Sequence, residues 1–181
     1  MIEGRLLRLL ACPDCKGPIR PGEGCLVCGD CGREYCVRNG IPLLWGSSTN
    51  LKHLWEEESL AEIMKREPSS AKEGLSRAQW QESKQEFWSV VQGRLGPPPK
   101  EIVNIGCGFD TSFQSFERDG YFFVNFDIVD GTLQTLKDEH GAKSCVAGDL
   151  LALPFRSGSF DYVVAIDTIH HECDRLQTIL A

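Results

Sequence analysis

Apolar and polar positions change rhythm three times along this chain. From residue 101 onward, short apolar runs alternate with amphipathic stretches. Ile102-Val103-Asn104-Ile105 is nearly continuous, as a strand buried on both faces requires. A glycine turn and a helix over about Thr111 to Asp119 follow it. Tyr121 to Phe126 predicts a second strand, Thr132 to Glu139 a second helix and Cys145-Val146-Ala147 a short third strand. Tyr162-Val163-Val164-Ala165-Ile166, bounded by Asp161 and Asp167, predicts a fourth. Strands alternating with helices predict an α/β fold with a mostly parallel sheet of βαβ units.

Residues 47–96 show helical spacing instead. Leu51, Leu54, Trp55, Leu60, Ile63 and Met64 predict one helix, closed by Pro68-Ser69-Ser70. Trp80, Phe87, Trp88, Val91 and Leu95 predict a second, with these side chains packed in a core, and Glu56-Glu57-Glu58 reads as a solvated face. Gly96-Pro97-Pro98-Pro99 stops that helix and forms a stiff hinge. Residues 1–46 are rich in Cys, Gly and Pro, with short apolar runs such as Cys25-Leu26-Val27 and Ile41-Pro42-Leu43-Leu44-Trp45. That is the texture of short strands and tight turns. The chain thus divides into residues 1–46, a helical connector over 47–99 and an α/β part over 100–181.

A chain of 181 residues has room for one ordinary domain, or for a small domain joined to part of a larger one. Its balance of 41% hydrophobic and 25% charged residues is that of a soluble globular protein, and no apolar run is long enough to span a bilayer. Met1-Ile2-Glu3-Gly4-Arg5-Leu6-Leu7 lacks the apolar core of an export signal, which predicts a cytoplasmic protein. The net charge of −7 argues against a long polyanion as the main partner, because compact nucleic-acid binders carry a basic surplus.

Nine cysteines redirect the reading towards metal. Six lie between Cys12 and Cys36, and four form Cys12-Pro13-Asp14-Cys15 and Cys28-Gly29-Asp30-Cys31. A secreted disulfide scaffold spreads its cysteines across the domain, whereas clustered C-x-x-C pairs without an export signal favour a metal site. Each pair turns two sulfurs onto one ion, and two pairs complete a closed four-thiolate site, a zinc ribbon, with no open position for chemistry. Zinc is the default ion for four thiolates without redox demands, and iron is the minor alternative. A redox dithiol or plain burial is the reading without metal. Cys25 is a competing ligand, but Gly29 and Gly32 give the turn at Cys28 and Cys31 its room. The flanks, Leu9-Leu10-Ala11-Cys12-Pro13-Asp14-Cys15-Lys16-Gly17, Cys28-Gly29-Asp30-Cys31-Gly32-Arg33-Glu34-Tyr35 and Asn39-Gly40-Ile41-Pro42-Leu43-Leu44, resemble the small zinc-ribbon activator proteins that partner tRNA and other methyltransferases. The resemblance implies a helper module that binds and stabilises a methyltransferase. Cys36 stands where that family usually has proline.

Asn104-Ile105-Gly106-Cys107-Gly108-Phe109-Asp110 falls between a predicted strand and helix, and Asp127 ends the next strand. Glycines there let the backbone approach a ligand closely, and a carboxylate at that distance can accept two ribose hydroxyls. With Gly148-Asp149-Leu150, Leu153-Pro154-Phe155 and the stretch from Phe160 to His171, these motifs resemble the class I S-adenosylmethionine-dependent methyltransferases over residues 100–181. The resemblance implies a Rossmann-like sheet and a cofactor site. In it Asn104, Gly106 and Gly108 line the cofactor, Asp127 holds the ribose, Asp149 and Leu150 flank the adenine, and Asp167 faces the methionine end. Asn104 replaces the usual acid, and Asp110 stands where a third glycine is usual. Asp110 is expected to cap the next helix with Thr111 or Ser112.

Methyl transfer is a displacement at a carbon already activated by sulfonium, so the protein mainly positions reactants and excludes water. A general base is needed only for a poor nucleophile. His170 and His171, beside Glu172, are the candidates for that base, against a reading as packing or capping residues. Cys107, Cys145 and Cys173 read as ordinary buried residues. Asp174 to Ala181 forms an amphipathic end, while complete class I enzymes continue into three more strands, so the chain is expected to be a fragment holding the cofactor half. The leading expectation is a methyltransferase fused to a zinc ribbon, with S-adenosylmethionine and zinc as cofactors and an unknown acceptor. The alternatives are a non-catalytic zinc-binding adaptor and an RNA methyltransferase whose ribbon grips RNA. The acidic balance and the lack of a Lys/Arg run speak against the last.

Overall fold

A computed structural model describes residues 2–49 and 77–169. The predicted helix over Leu51 to Met64, the candidate bases His170 and His171, Cys173 and the amphipathic end from Asp174 lie outside the described residues, as does the side chain of Trp80. Among the described residues, eight strands form one sheet in the order β1-β2-β3-β4-β7-β6-β5-β8. The ribbon supplies β1 (Ile19–Pro21), β2 (Cys25–Cys28), β3 (Glu34–Arg38) and β4 (Ile41–Leu44), and the α/β part supplies β5 (Glu101–Ile105), β6 (Phe122–Asp127), β7 (Ser144–Gly148) and β8 (Tyr162–Ala165).

The α/β half is Rossmann-like, as the alternation of apolar runs and amphipathic stretches predicts. β5 pairs in parallel with β6 and β8, and β6 with β7. All of β6 and β7 is buried, which explains why their sequences are continuous rather than alternating. A short helix that the sequence pattern does not announce, α1 (Gly4–Leu9), precedes the ribbon strands, and the connector supplies α2 (Arg77–Gln92). The crossover helices are α3 (Phe113–Arg118) and α4 (Asp130–His140). The start of α3 is delayed by two residues relative to expectation, because Asp110 accepts the Ser112 N–H (2.9 Å) and holds that stretch as a turn. α4 opens with Asp130 and carries Lys137 in its last turn, charges that match its dipole. It stops at Gly141 in the left-handed conformation, where the Ala142 N–H reaches back to the Leu136 carbonyl (3.1 Å).

α2 packs one narrow stripe onto this sheet. Trp88 is 2% exposed, with its ring centroid 5.1 Å from that of Phe116 and 5.6 Å from that of Phe123. Phe87, expected in the same core, is instead 45% exposed. Adjacent helical residues point about 100° apart, so only one of the two can face the sheet.

The ribbon is built into the sheet rather than hung from it. β1, β2, β3 and β4 run antiparallel to one another in turn, and β4 then pairs in parallel with β7, Leu43 opposite Ala147 and Leu44 opposite Gly148. α1 covers the sheet face opposite α2. Its Leu6 and Leu9 share one apolar cluster with Leu26, Leu44, Val103, Ile105, Val124, Phe126 and Val146. Arg5 pairs with Glu101 (2.7 Å) and lies over the Phe122 ring, 4.4 Å from its centroid. Arg38 pairs with Asp130, and the Trp45 indole donates to the Ile128 carbonyl (3.2 Å). No helix among the described residues is long and apolar enough to cross a membrane.

Leu44 is fully buried in β4 at the seam between the ribbon and β7. Leu44→Ala is expected to cost about 2–5 kcal/mol, as for other large-to-small core changes. In urea unfolding, tryptophan fluorescence and far-UV circular dichroism are expected to move together. Two separate transitions would show that the ribbon unfolds on its own.

Candidate functional site

The strand order reverses at β5, whose neighbours are β6 on one side and β8 on the other. In such sheets ligands occupy the crevice outside the carboxyl ends of the strands at this switch point. The structure brings Gly106, Gly108, Asp127, Asp149, Leu150 and Asp167 to the carboxyl ends of β5, β6, β7 and β8. Asn104 lies deeper, within β5, 2% exposed and in register with Asn125 of β6.

The turn after β5 depends on glycine. Gly106 and Gly108 both have positive φ, +64° and +52°. A Cβ on Gly106 would overlap the Thr168 side chain, whose hydroxyl donates towards the carbonyls of Ile105 (3.1 Å) and Ile166 (3.0 Å) and so ties the end of β8 to the turn. The Asp127 carboxylate is fixed from two sides: Oδ2 accepts the Gly108 N–H (2.9 Å) and Oδ1 the Val129 N–H (3.0 Å). Asp149 accepts the Leu151 N–H (2.9 Å) at the start of a single 3-10 turn, Leu150–Ala152. Asp167 is exposed, at φ +53°, a backbone state that costs a side chain energy and concentrates at functional sites. Burial raises the Cys107 thiol far above its ordinary value and raises Cys145 to about 12, so both are neutral packing groups.

One residue of this cleft escapes the sequence reading, and another acts otherwise than expected. Lys84 of α2 is 6% exposed. Burial lowers its ammonium from the ordinary lysine value, while Asp110, Asp167, Cys107 and Asp127 act in the opposite direction. It stands one helical turn before Trp88, whose indole N–H donates to Asp110 Oδ2 (2.7 Å). Contrary to expectation Asp110 does not cap α3; it holds the turn that precedes the helix and fastens α2 to the glycine turn. A charge placed at the spacing of an apolar stripe, 84, 88, 91 and 95, was the available signal for Lys84.

The four predicted ligand sulfurs converge. Those of Cys12, Cys15, Cys28 and Cys31 all lie within 4.8 Å of one another, with Cys12–Cys31 at 3.8 Å and Cys15–Cys28 at 3.4 Å. A tetrahedral ion with metal–sulfur bonds of about 2.3 Å needs sulfurs roughly 3.8 Å apart. The competing ligand Cys25 is not in this group. Backbone N–H groups converge on the sulfurs as well: Cys15 and Asp14 on Cys12, Cys31 and Asp30 on Cys28, Gly17 on Cys15 and Arg33 on Cys31. The Tyr35 hydroxyl lies 3.0 Å from the Cys12 sulfur.

The charges of the four sulfurs conflict. The Cys31 N–H leads in bringing Cys28 down to about 6. Burial opposes ionisation of Cys12, but the surrounding donors outweigh it and lower that thiol. The Gly17 N–H favours the Cys15 thiolate, yet the neighbouring sulfurs raise it to about 12. Four thiolates this close cannot all ionise without a cation among them. A divalent ion resolves the conflict, so the donor set fits a closed structural site.

The first knuckle also braces the cleft. The Ala11 N–H donates to the Pro154 carbonyl (2.9 Å), the Arg156 N–H to the Leu9 carbonyl (2.9 Å) and Lys16 Nζ to the Leu153 carbonyl (2.8 Å). The residues flanking Cys12 and Cys15 thus hold the segment that follows Asp149 and Leu150.

The family described as Methyltransferase domain matches residues 103–181, and the family described as Trm112p-like protein matches residues 4–40. An 18S rRNA (guanine-N(7))-methyltransferase of Mus musculus is 30% identical over 77 residues, covering 42% of this chain and 27% of the relative. A demethylmenaquinone methyltransferase of Streptomyces griseus is 35% identical over 66 residues, 36% of this chain and 29% of the relative. A UPF0434 protein of Janthinobacterium sp. is 39% identical over 46 residues, 24% of this chain and 77% of the relative. The chain spans little more than a quarter of these methyltransferases' length but most of the UPF0434 protein. Through its N-terminal region, which matches the Trm112p-like model, the chain belongs to the UPF0434 family, and behind that region it carries a stretch that matches the Methyltransferase domain family.

Proposed function

We propose that this chain binds S-adenosylmethionine at the β5–β8 switch point for methyl transfer, and that its ribbon holds one structural zinc ion. The observation that carries the proposal is the pinned Asp127 carboxylate beside the glycine turn. Its two backbone donors fix its position at the carboxyl end of β6, beside the glycine turn, which is where a carboxylate can accept ribose hydroxyls. Asn104, Gly106 and Gly108 would line the cofactor, Asp149 and Leu150 would flank the adenine, and Asp167 would face the methionine end. When bound, S-adenosylmethionine supplies a methyl carbon activated by its sulfonium. The carboxylates of Asp110, Asp127 and Asp167 would favour the two cationic groups of the ligand, and the Lys84 ammonium, buried near these acids, would meet its one carboxylate. Where the acceptor is a poor nucleophile, His170 or His171 would serve as base. Zinc would draw the two knuckles together and so hold α1, β4 and the segment after Leu150 against the sheet. A thiolate site of this kind belongs in a reducing compartment, which supports a cytoplasmic place of action.

Calorimetry on the full chain tests the cofactor reading. S-adenosylmethionine is expected to bind, and Asp127→Ala to weaken binding by about tenfold to a hundredfold, the worth of one or two charge-assisted hydrogen bonds. An adaptor without catalysis would show no binding in the first place. Lys84→Met is expected to weaken S-adenosylmethionine and S-adenosylhomocysteine about equally. It should leave 5′-methylthioadenosine, which lacks the amino-acid end, unchanged. Equal loss for all three ligands would make Lys84 a folding residue.

Metal analysis is expected to find about one zinc per chain, as a closed four-thiolate site requires. Cys28→Ser or prolonged chelation should lower both the unfolding midpoint and the affinity for S-adenosylmethionine. An affinity that survived complete zinc removal would overturn the bracing role of the first knuckle.

A further inference from the structure

Two ribbon cysteines take no part in the four-sulfur cluster, and the fold places them face to face. Cys25 of β2 and Cys36 of β3 are directly opposite in the antiparallel register, and both are free. The Cys25 carbonyl accepts the Gly22 N–H on the β1 side (2.9 Å). The main-chain polar groups of Cys25 therefore point away from β3, which makes Cys25 and Cys36 a non-hydrogen-bonded pair. In such pairs the Cα atoms stand about 4.5 Å apart and the side chains approach most closely. A disulfide needs Cα atoms roughly 4.4–6.8 Å apart and Cβ atoms on the same side.

The side chains meet this second condition too. Leu26, Cys28 and Tyr35 point inward, at 2%, 1% and 4% exposure. Cys25 and Cys36 occupy the alternate positions and share the outer face, Cys36 exposed and Cys25 half-buried. Gly22 leaves the space beside the Cys25 sulfur open: a Cβ there would lie 2.9 Å from it. The sulfur thus rests on the β1 side of the strand, and the Cys25 side chain turns about χ1 towards β3 when it meets Cys36.

We propose that Cys25 and Cys36 form a reversible dithiol–disulfide pair on the outer face of the ribbon, taking a small disulfide such as oxidised glutathione as oxidant. The Cys36 thiolate attacks one sulfur of that disulfide, releases one glutathione thiol and forms a mixed disulfide. Cys25 then attacks the Cys36 sulfur, closes the Cys25–Cys36 bond and releases the second glutathione. The protein loses two electrons and two protons, and one glutathione disulfide becomes two thiols. The loop so closed contains the Cys28–Cys31 knuckle; Cys28 points to the inner side of β2, away from Cys25, and the knuckle stays with the metal. Intracellular disulfides of this type are transient and responsive to the redox state. The proposal stands apart from the methyltransferase reading, because it uses only the ribbon.

The test treats the zinc-loaded full chain with oxidised glutathione, traps remaining thiols by alkylation, maps the peptides and measures zinc in the same sample. The expected result is one cross-linked peptide pair through Cys25 and Cys36, reversed by dithiothreitol, with zinc retained. Cys25→Ser should instead stop at a glutathione adduct on Cys36. Cross-links through Cys12, Cys15, Cys28 or Cys31, zinc loss in step with oxidation, or a lasting adduct on wild-type Cys36 would each overturn it. The wild-type map decides the matter even if the variant folds poorly.

Discussion

The parallel pairing of β4 with β7 is the contact on which the rest of this structure depends. Without it, β7 would be an open edge with a row of unpaired main-chain groups. With it, a ribbon too small to fold by hydrophobic burial alone gains a sheet to rest on. The same contact gives the sheet a covered edge and, through α1, a covered face. Burial is thus shared: Leu6 and Leu9 from the ribbon and Val124 and Val146 from the sheet lie in one cluster.

This sharing joins the four-sulfur site to the cleft. The knuckle around Cys12 and Cys15 holds the 153–156 segment through hydrogen bonds to its main chain, and that segment follows directly on Asp149 and Leu150. On the far side of the sheet, α2 does similar work through Trp88 and Asp110. The cleft is therefore gripped from both faces, by the ribbon on one and by the connector helix on the other. The glycine turn between them is held by Asp127 and overlaid by Thr168.

What can be read from the chain follows the reach of each signal. The two C-x-x-C pairs are local, and their spacing alone sends four sulfurs to one point. The glycine turn and Asp127 are legible because a strand, a turn and the next strand lie close in sequence. The β4–β7 ladder spans about a hundred residues, and no local pattern announces it; the run Gly96-Pro97-Pro98-Pro99 even suggests two bodies on a hinge. α1 is only six residues long, too short for an apolar period to stand out. Lys84 is easily missed because a lysine in an amphipathic helix is ordinarily assigned to solvent, and only its place on the 88, 91, 95 stripe speaks otherwise. Phe87 is misplaced because a pair of adjacent aromatics carries no information about which of them faces the core.

The ribbon resembles activators that reach their methyltransferases as separate chains. Here it occupies the edge of β7 from within. Binding that would otherwise depend on the concentration of a second protein becomes intramolecular, with an effective local concentration set by the tether. The stoichiometry is fixed at one to one, and dilution cannot separate the parts. Any strand offered to that edge by another chain would have to displace one that is always present.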